Sequence, residues 1–270
     1  MLASDYQELR RIIYDRSGIT LGENKQQMLS CRLARRLREL GFASEREYLR
    51  FLTSPDGESE VDAMLEAVTT NVTSFFRESA HFDHLTGQLH EIAGKGSNRI
   101  RIWCAAASTG QEPYTLAIVV DEVMRALNRK LDARILSTDL STEVLAVAHE
   151  ATYQEKDLAP IAQQIRARQF EPVVSGSQRL FRVVERTRSL VTLARLNLAK
   201  PPFPMKGPFD AVFCRNVMIY FDDIVRGRLL DEIHRVLGPE GLLYVGHSEG
   251  LTGWDHKFER LAPSVYRKIT

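Results

Sequence analysis

The chain is 270 residues long, which suits one large domain or a large one with a smaller companion. Its 44% apolar and 26% charged content is that of a globular protein, and no apolar run approaches the roughly 18 residues that a membrane-spanning helix needs. A net charge of +1 excludes binding driven by the overall field, so any charged partner must be met by a local patch.

In chain order, residues 1 to about 95 read as helical, with a helical domain over 1–80 and a linker helix and linker over 81–98. Met1 to Glu8 carry no basic-then-apolar leader pattern. Tyr6 to Tyr14 have helical spacing, and Ser17 to Gly22 break it. A second helix runs from about Lys25 to Leu40 with Leu29, Leu33, Leu37 and Leu40 as its apolar stripe, and it stops at Gly41. Ser44 with Glu47 opens a third helix in the manner of a capped N-terminus. Ser54-Pro55-Asp56-Gly57 is a turn, and helical spacing resumes over Val61–Val68. By spacing alone, Thr69 to Glu78 reads as a helix N-terminus with an apolar face.

From Arg99 the pattern alternates. Strands are expected at 99–104, 133–138, about 190–196, 209–215 and 241–247, with helices at 111–127, 141–150 and 222–237. Such a βαβ series implies a largely parallel sheet covered on both faces. Phe181–Val184 and Leu190–Leu193, with charged Glu185–Arg188 between them, suggest a small antiparallel insertion. Lys257 to Lys268 reads as a terminal hairpin.

Strand, small-residue loop, helix, strand and acid is how an α/β sheet makes a nucleotide crevice. The loop at 105–110 holds one glycine, Gly110, so it lacks the dinucleotide fingerprint. Glu112 in the first helical turn places a carboxylate where a pyrophosphate would lie. That suits a ligand carrying an ammonium or sulfonium; the plain alternative is a favourable first-turn Glu. Asp139, at a strand end, is a candidate for ribose hydroxyls or for a helix cap, and Ser141 competes for the cap. Arg215 and Asn216 stand at the tip of an apolar strand, where a doubly wound sheet presents ligand contacts. Asn71 and Thr73 are candidates to line the pocket.

Cys31, Cys104 and Cys214 are odd in number and widely spaced, and read as buried thiols of a reducing compartment. Of the seven histidines none stands with a cysteine or an acid at metal-ligand spacing; His81 and His84 read as a solvated helix face, and no metal is expected. Lys25, Arg32, Arg35, Arg36 and Arg38 lie in a stretch without acids, a solvated face or a docking surface for an acidic helix or nucleic acid.

In combination and order, Thr69–Glu78, Ala107–Tyr114, Ser137–Asp139, Phe209–Phe221 and Gly246-His247-Ser248-Glu249 resemble the chemotaxis receptor methyltransferases, the CheR family, over essentially the whole chain. The resemblance implies an α/β fold: a Rossmann-like sheet binding S-adenosylmethionine (SAM) over 99–270, a small antiparallel β-subdomain inserted at about 160–198, and an all-α N-terminal domain. It implies methylation of glutamate side chains on cytoplasmic chemoreceptor helices, with S-adenosylhomocysteine as product, in the cytoplasm. By the same resemblance Asn71, Thr73 and Arg77 face the cofactor from the linker side, and Glu112 holds its ammonium end. Asp139 holds the ribose, Asn197 and Leu198 contact adenine, and Arg215 and Asn216 lie near the methionine end. The basic helix faces the receptor bundle, with no nucleic acid and no membrane insertion. Some members bind a receptor C-terminal pentapeptide through the β-subdomain, a question that falls on Ser175–Gln178 here.

A glutamate is ionised at neutral pH, so its attack on a methyl carbon needs no general base, and excluding water and aligning the reactants supply much of the acceleration. Arg77 and Tyr220 are assigned to position the carboxylate, and Phe75, Phe76, Tyr220 and Phe221 to form a dry wall. The rival readings are a SAM-dependent nucleic-acid methyltransferase, with 25–38 on phosphates, and a non-catalytic SAM-binding regulatory module. Glu112 and the missing glycines count against a nicotinamide enzyme.

Overall fold

In a computed structural model that describes residues 1–175, 178–254 and 256–269, apolar periodicity sorts the chain into four cores. The first is built from α1 (Ala3–Ser17), α2 (Gln26–Leu40), α3 (Glu45–Leu52) and α4 (Glu58–Val68). Leu9, Ile13, Leu29, Leu33, Tyr48 and Met64 fill it. Leu29 and Leu33 of the leucine stripe are buried, whereas Leu40 is exposed because the helix ends there in the left-handed Gly41 cap. Ser44 caps α3 by accepting from the Glu47 amide, while Glu47 accepts from the Ala43 amide.

Thr69 to Ser79 is an irregular connector, contrary to the expected helix N-terminus. Phe76 and Glu78 take positive φ there, which no continuing helix allows. It leads into α5 (Ala80–Gly94).

The large sheet contains β1 (Arg99–Cys104), β2 (Asp132–Asp139), β6 (Val191–Arg195), β7 (Phe209–Cys214) and β8 (Leu237–Val245), all parallel to their neighbours in the order β6-β2-β1-β7-β8. A terminal hairpin of β9 (Phe258–Ala262) and β10 (Val265–Lys268) extends it, with β10 antiparallel to β8. One face packs on α5 and α6 (Gln111–Ala126), the other on α10 (Asp223–Val236).

The second sheet is antiparallel, in the order β3-β5-β4, from β3 (Thr152–Gln154), β4 (Phe170–Ser175) and β5 (Gln178–Val183). It therefore begins nearer 152 and ends near 183. Leu190–Leu193 is no part of it: Val191–Arg195 pairs in parallel with Ile135–Asp139, because that strand completes the βαβ series. Glu185–Arg188 forms a single helical turn, α9, between the two sheets, after α8 (Gln163–Gln169). Gly176 and Ser177, on which the pentapeptide question falls, lie outside the described residues. Cys104 and Cys214 are buried as expected, but Cys31 is exposed on α2.

Candidate active site

The site forms where parallel strands end. The carboxyl ends of β1, β2, β6 and β7 open on one cavity of about 420 Å³, at the edge where a doubly wound sheet places its ligands. Asn71, Thr73, Arg77, Glu112, Asp139, Asn197, Leu198, Arg215, Asn216 and Tyr220 all line it. The connector Thr69–Ser79 brings the first three.

Gly110 explains the loop's single glycine. It holds φ +97° at the start of α6, and a Cβ there would meet the Tyr153 hydroxyl at 2.6 Å. That hydroxyl donates to the Thr109 carbonyl, so the glycine admits the β-subdomain rather than a phosphate.

Glu112, one helical turn in, accepts from the Arg215 guanidinium and, at 3.3 Å, from the Cys104 thiol. Burial pushes its carboxyl above the ordinary value, and Arg215 pulls the other way. Arg215 has a fully buried side chain, pairs also with Glu78 at 3.1 Å, and lies over the Phe82 ring at 5.3 Å. It binds the connector to the sheet by donating to the Arg77 carbonyl as well. Glu112 and Glu78 thus share one buried guanidinium, so carboxylates outnumber the buried arginine at this end of the cavity.

Asp139 does not cap α7 (Thr142–Glu150). Ser141 does, accepting from the Val144 amide. Asp139 instead accepts from the Ser108 amide at 2.8 Å and the Ser141 amide at 3.0 Å, one bond to each oxygen, which leaves acceptor capacity facing the cavity. Burial raises its carboxyl against the pull of these amides.

Asn197 spends its side chain on the fold. Its amide nitrogen donates to the Arg16 carbonyl at 2.6 Å, and its oxygen accepts from the Ala199 amide. Leu198 is buried against the cavity. Asn216 takes φ +57°, and its amide donates to Glu249 at 2.6 Å. Glu249 also accepts from the Gly246 and Ile219 amides, tying the two strand-end loops together. A Cβ at Gly246 would meet Asn216 Nδ2 at 2.5 Å, so this close approach requires glycine.

Sequence reading gave Ser108 and Glu249 no role, although a glutamate closing Gly-His-Ser-Glu beyond a strand was the available signal. It also missed the far wall, Ile19, Thr20 and Leu21 of the helical domain. Of the residues expected to form a dry wall, Tyr220 and Phe221 line the cavity, whereas Phe75 is buried against Tyr153 and Phe170, and Phe76 packs on Phe82.

Two further expectations are corrected. His81 is buried at 1% exposure, and His84 meets the Tyr244 hydroxyl at 2.9 Å, so neither forms a solvated face. Glu78, His81 and His247 do bring acid and imidazole atoms within 4.8 Å of one another. Arg215 already sits on the shared Glu78 oxygen, and its charge opposes a metal cation there.

The basic helix divides. Arg32 donates to the Val68 and Thr69 carbonyls and to the Thr70 hydroxyl. Arg36 pairs with Glu60, a buried acid that also accepts from the Tyr48 hydroxyl. Lys25, Arg35 and Arg38 are exposed, and Arg35 pairs with Glu39 one turn on at 2.7 Å.

A carboxyl-edge cavity bracketed by Glu112 and Asp139, without a phosphate cradle, suits a cationic ligand that carries a ribose, and with this sheet it defines a SAM-binding methyltransferase. The chain belongs to the CheR methyltransferase family: the family's SAM-binding domain matches residues 71–266 and its all-alpha domain residues 4–69. It is similar to a protein from Rhizobium etli named "Probable chemotaxis protein methyltransferase", 38% identical over 96% of this chain and 97% of the relative. It is also similar to the chemotaxis protein methyltransferase of Escherichia coli K12, 36% identical over 97% and 89%, and to chemotaxis protein methyltransferase 2 of Pseudomonas aeruginosa, 37% over 97% and 92%.

Proposed function

We propose that the chain methylates glutamate side chains on the cytoplasmic helices of chemoreceptors, yielding glutamyl methyl esters and S-adenosylhomocysteine. The observation that carries the reading is the convergence of ten expected site residues, from the segments that follow four strand ends and from the connector, on one cavity. SAM, when bound, supplies an electrophilic methyl group on a sulfonium. Glu112 would hold the ammonium end, Asp139 the ribose hydroxyls, and Leu198 with the 197–198 backbone the adenine. Arg77 spends one nitrogen on the Val72 carbonyl, and its remaining donors make no protein hydrogen bond among the described residues. They are available to orient a carboxylate by a forked contact. Tyr220 adds a hydroxyl donor at the same cavity. No group is asked to remove a proton, since a glutamate is already ionised at neutral pH.

Lys25, Arg35 and Arg38 would face the acidic receptor bundle. With Arg32 and Arg36 spent inside the fold, the basic stretch is short for a phosphate backbone, which weighs against nucleic acid. Among the described residues no helix is long and apolar enough to cross a membrane, in keeping with work at the receptors' cytoplasmic part. The test is transfer of labelled methyl from SAM to receptor-enriched membranes of the source organism. Base-labile label on the receptor band is expected. Label that survives base, or none, refutes ester formation.

A further inference from the structure

Ten large apolar side chains stand exposed among the described residues, and two of them, Val72 and Ile219, line the cavity. Val72 is 77% exposed and Ile219 53%. Neither is a core residue that failed to reach the interior. Each is carried on fixed backbone. The Val72 carbonyl accepts from Arg77 at 2.8 Å, and the preceding Asn71 carbonyl accepts from the Ser108 hydroxyl at 3.1 Å. Ile219 sits in the helical turn Met218–Tyr220, and its amide donates to Glu249 at 3.2 Å. Each also adjoins a residue assigned to the incoming carboxylate: Val72 is tethered to Arg77, and Ile219 precedes Tyr220.

β-branched side chains have little rotamer freedom to lose on binding, so held in this way they make efficient contacts. The surroundings are basic. Lys25 lines the same cavity, and Arg38 lies exposed on the helix that follows it, as does Arg35, which pairs with Glu39 of its own helix. A surface with aliphatic knobs beside a carboxylate-orienting arginine, flanked by exposed cations, complements one kind of partner. That partner is an acidic amphipathic helix, whose apolar side chains three or four residues from a glutamate share its face.

We propose that Val72 and Ile219 seat the apolar neighbours of the target glutamate, so that the enzyme selects glutamates set in an amphipathic helical face. The inference rests on the methyl-transfer reading above. It makes the two aliphatic residues determinants of receptor affinity and not of SAM binding.

The experiment uses the full chain, SAM, and receptor-enriched membranes of the source organism. Val72→Ser and Ile219→Ser are compared with Val72→Leu and Ile219→Leu, which keep the apolar surface. Each Ser variant is expected to raise KM for receptor about five- to tenfold, and the pair more. kcat and the SAM Kd should stay within about twofold of wild type, by the same reasoning that the lost contact is to receptor alone. The Leu variants should restore the wild-type KM. An unchanged KM in both Ser variants overturns the proposal. So does a kcat loss at constant KM, or a weakened SAM Kd that accounts for the whole effect. Absence of base-labile transfer by the wild type overturns the methyl-transfer reading, and this inference with it.

Discussion

Asp139 serves the loop and the ligand with the same two oxygens. Its amide contacts from Ser108 and Ser141 fix the backbone on either side of the cavity, and its remaining lone pairs are the ribose acceptors. Asp139→Ala removes both, so SAM affinity should fall about ten- to a hundredfold, the worth of one or two hydrogen bonds to a charged group. Titration calorimetry measures this directly, and an unaltered Kd removes Asp139 from the ribose. His81 gives a pH-dependent counterpart. Burial, aided by the nearby Arg215 and His247 and opposed by Glu78, lowers its pKa to about 4. Both ring nitrogens lack a hydrogen-bond partner, and the ring packs edge-on against Tyr244. The unfolded chain takes up this proton near pH 6.5 and the folded one does not until about 4. The contribution is therefore full above pH 6.5 and is lost as pH falls between those values. Between pH 7 and pH 5 it is worth about 2 kcal/mol. In urea titrations at the two pH values His81→Phe should lose less stability than wild type by about that amount. Equal losses would show that His81 is protonated in the folded state.

Over residues 25–38 the five cations do different work, and the reason lies outside the helix. Arg36 reaches Glu60 on α4, and Glu60 is buried with the Tyr48 hydroxyl on it. Arg36→Ala would leave an acid uncompensated in the helical core, and we expect it to cost about 2–3 kcal/mol in urea unfolding, below a fully buried pair because the arginine is partly wet. Arg38→Glu changes an exposed side chain and should move stability by less than about 0.5 kcal/mol. It should nonetheless lower receptor methylation, more at low salt than at high salt, with the SAM Kd unchanged. Methylation that does not respond to Arg38→Glu at low ionic strength would remove this helix face from docking. The period of the leucines made α2 legible in the sequence. That Arg32 and Arg36 are spent inside the fold was not legible, because their partners come from another helix 24 residues away and from the carbonyls at its end. The same limit misplaced Leu190–Leu193. A run of β-branched residues announces a strand, but its neighbour is chosen by the sheet order, and β2 rather than β5 had the open edge. The connector Thr69–Ser79 escaped a periodicity reading because Phe75 and Phe76 point to two different packing sites and mimic an apolar helical face.

At the scale of the whole molecule the cavity belongs to both domains. Tyr14 donates to Asp222 at 2.7 Å, the Thr20 amide to the Tyr220 carbonyl at 2.8 Å, and Asn197 to the Arg16 carbonyl, while Ile19 bridges Phe221. These contacts join residues some 200 positions apart, which is why Ile19, Thr20 and Leu21 gave no sign of a pocket wall while Glu112 and Asp139, set by local strand and helix ends, did. Gly18 marks a close approach between the two domains. It holds φ +72° at the end of α1, and a Cβ there would lie 2.5 Å from Ala199 Cβ and 3.2 Å from Val225 Cγ1. Gly41 ends α2 with nearly the same angle, φ +74°, and open space around it. Alanine at either position pays the left-handed penalty of about 1–2 kcal/mol. Only Gly18→Ala also wedges the helical domain away from the strand ends. Gly41→Ala should therefore lower stability and leave the SAM Kd unchanged. Gly18→Ala should lower stability further and weaken SAM several-fold, because the wall at 19–21 retreats from the cavity. Unfolding curves and calorimetry on the two variants separate backbone strain from domain docking, and equal SAM affinities in both would show that the helical domain lends the cavity nothing.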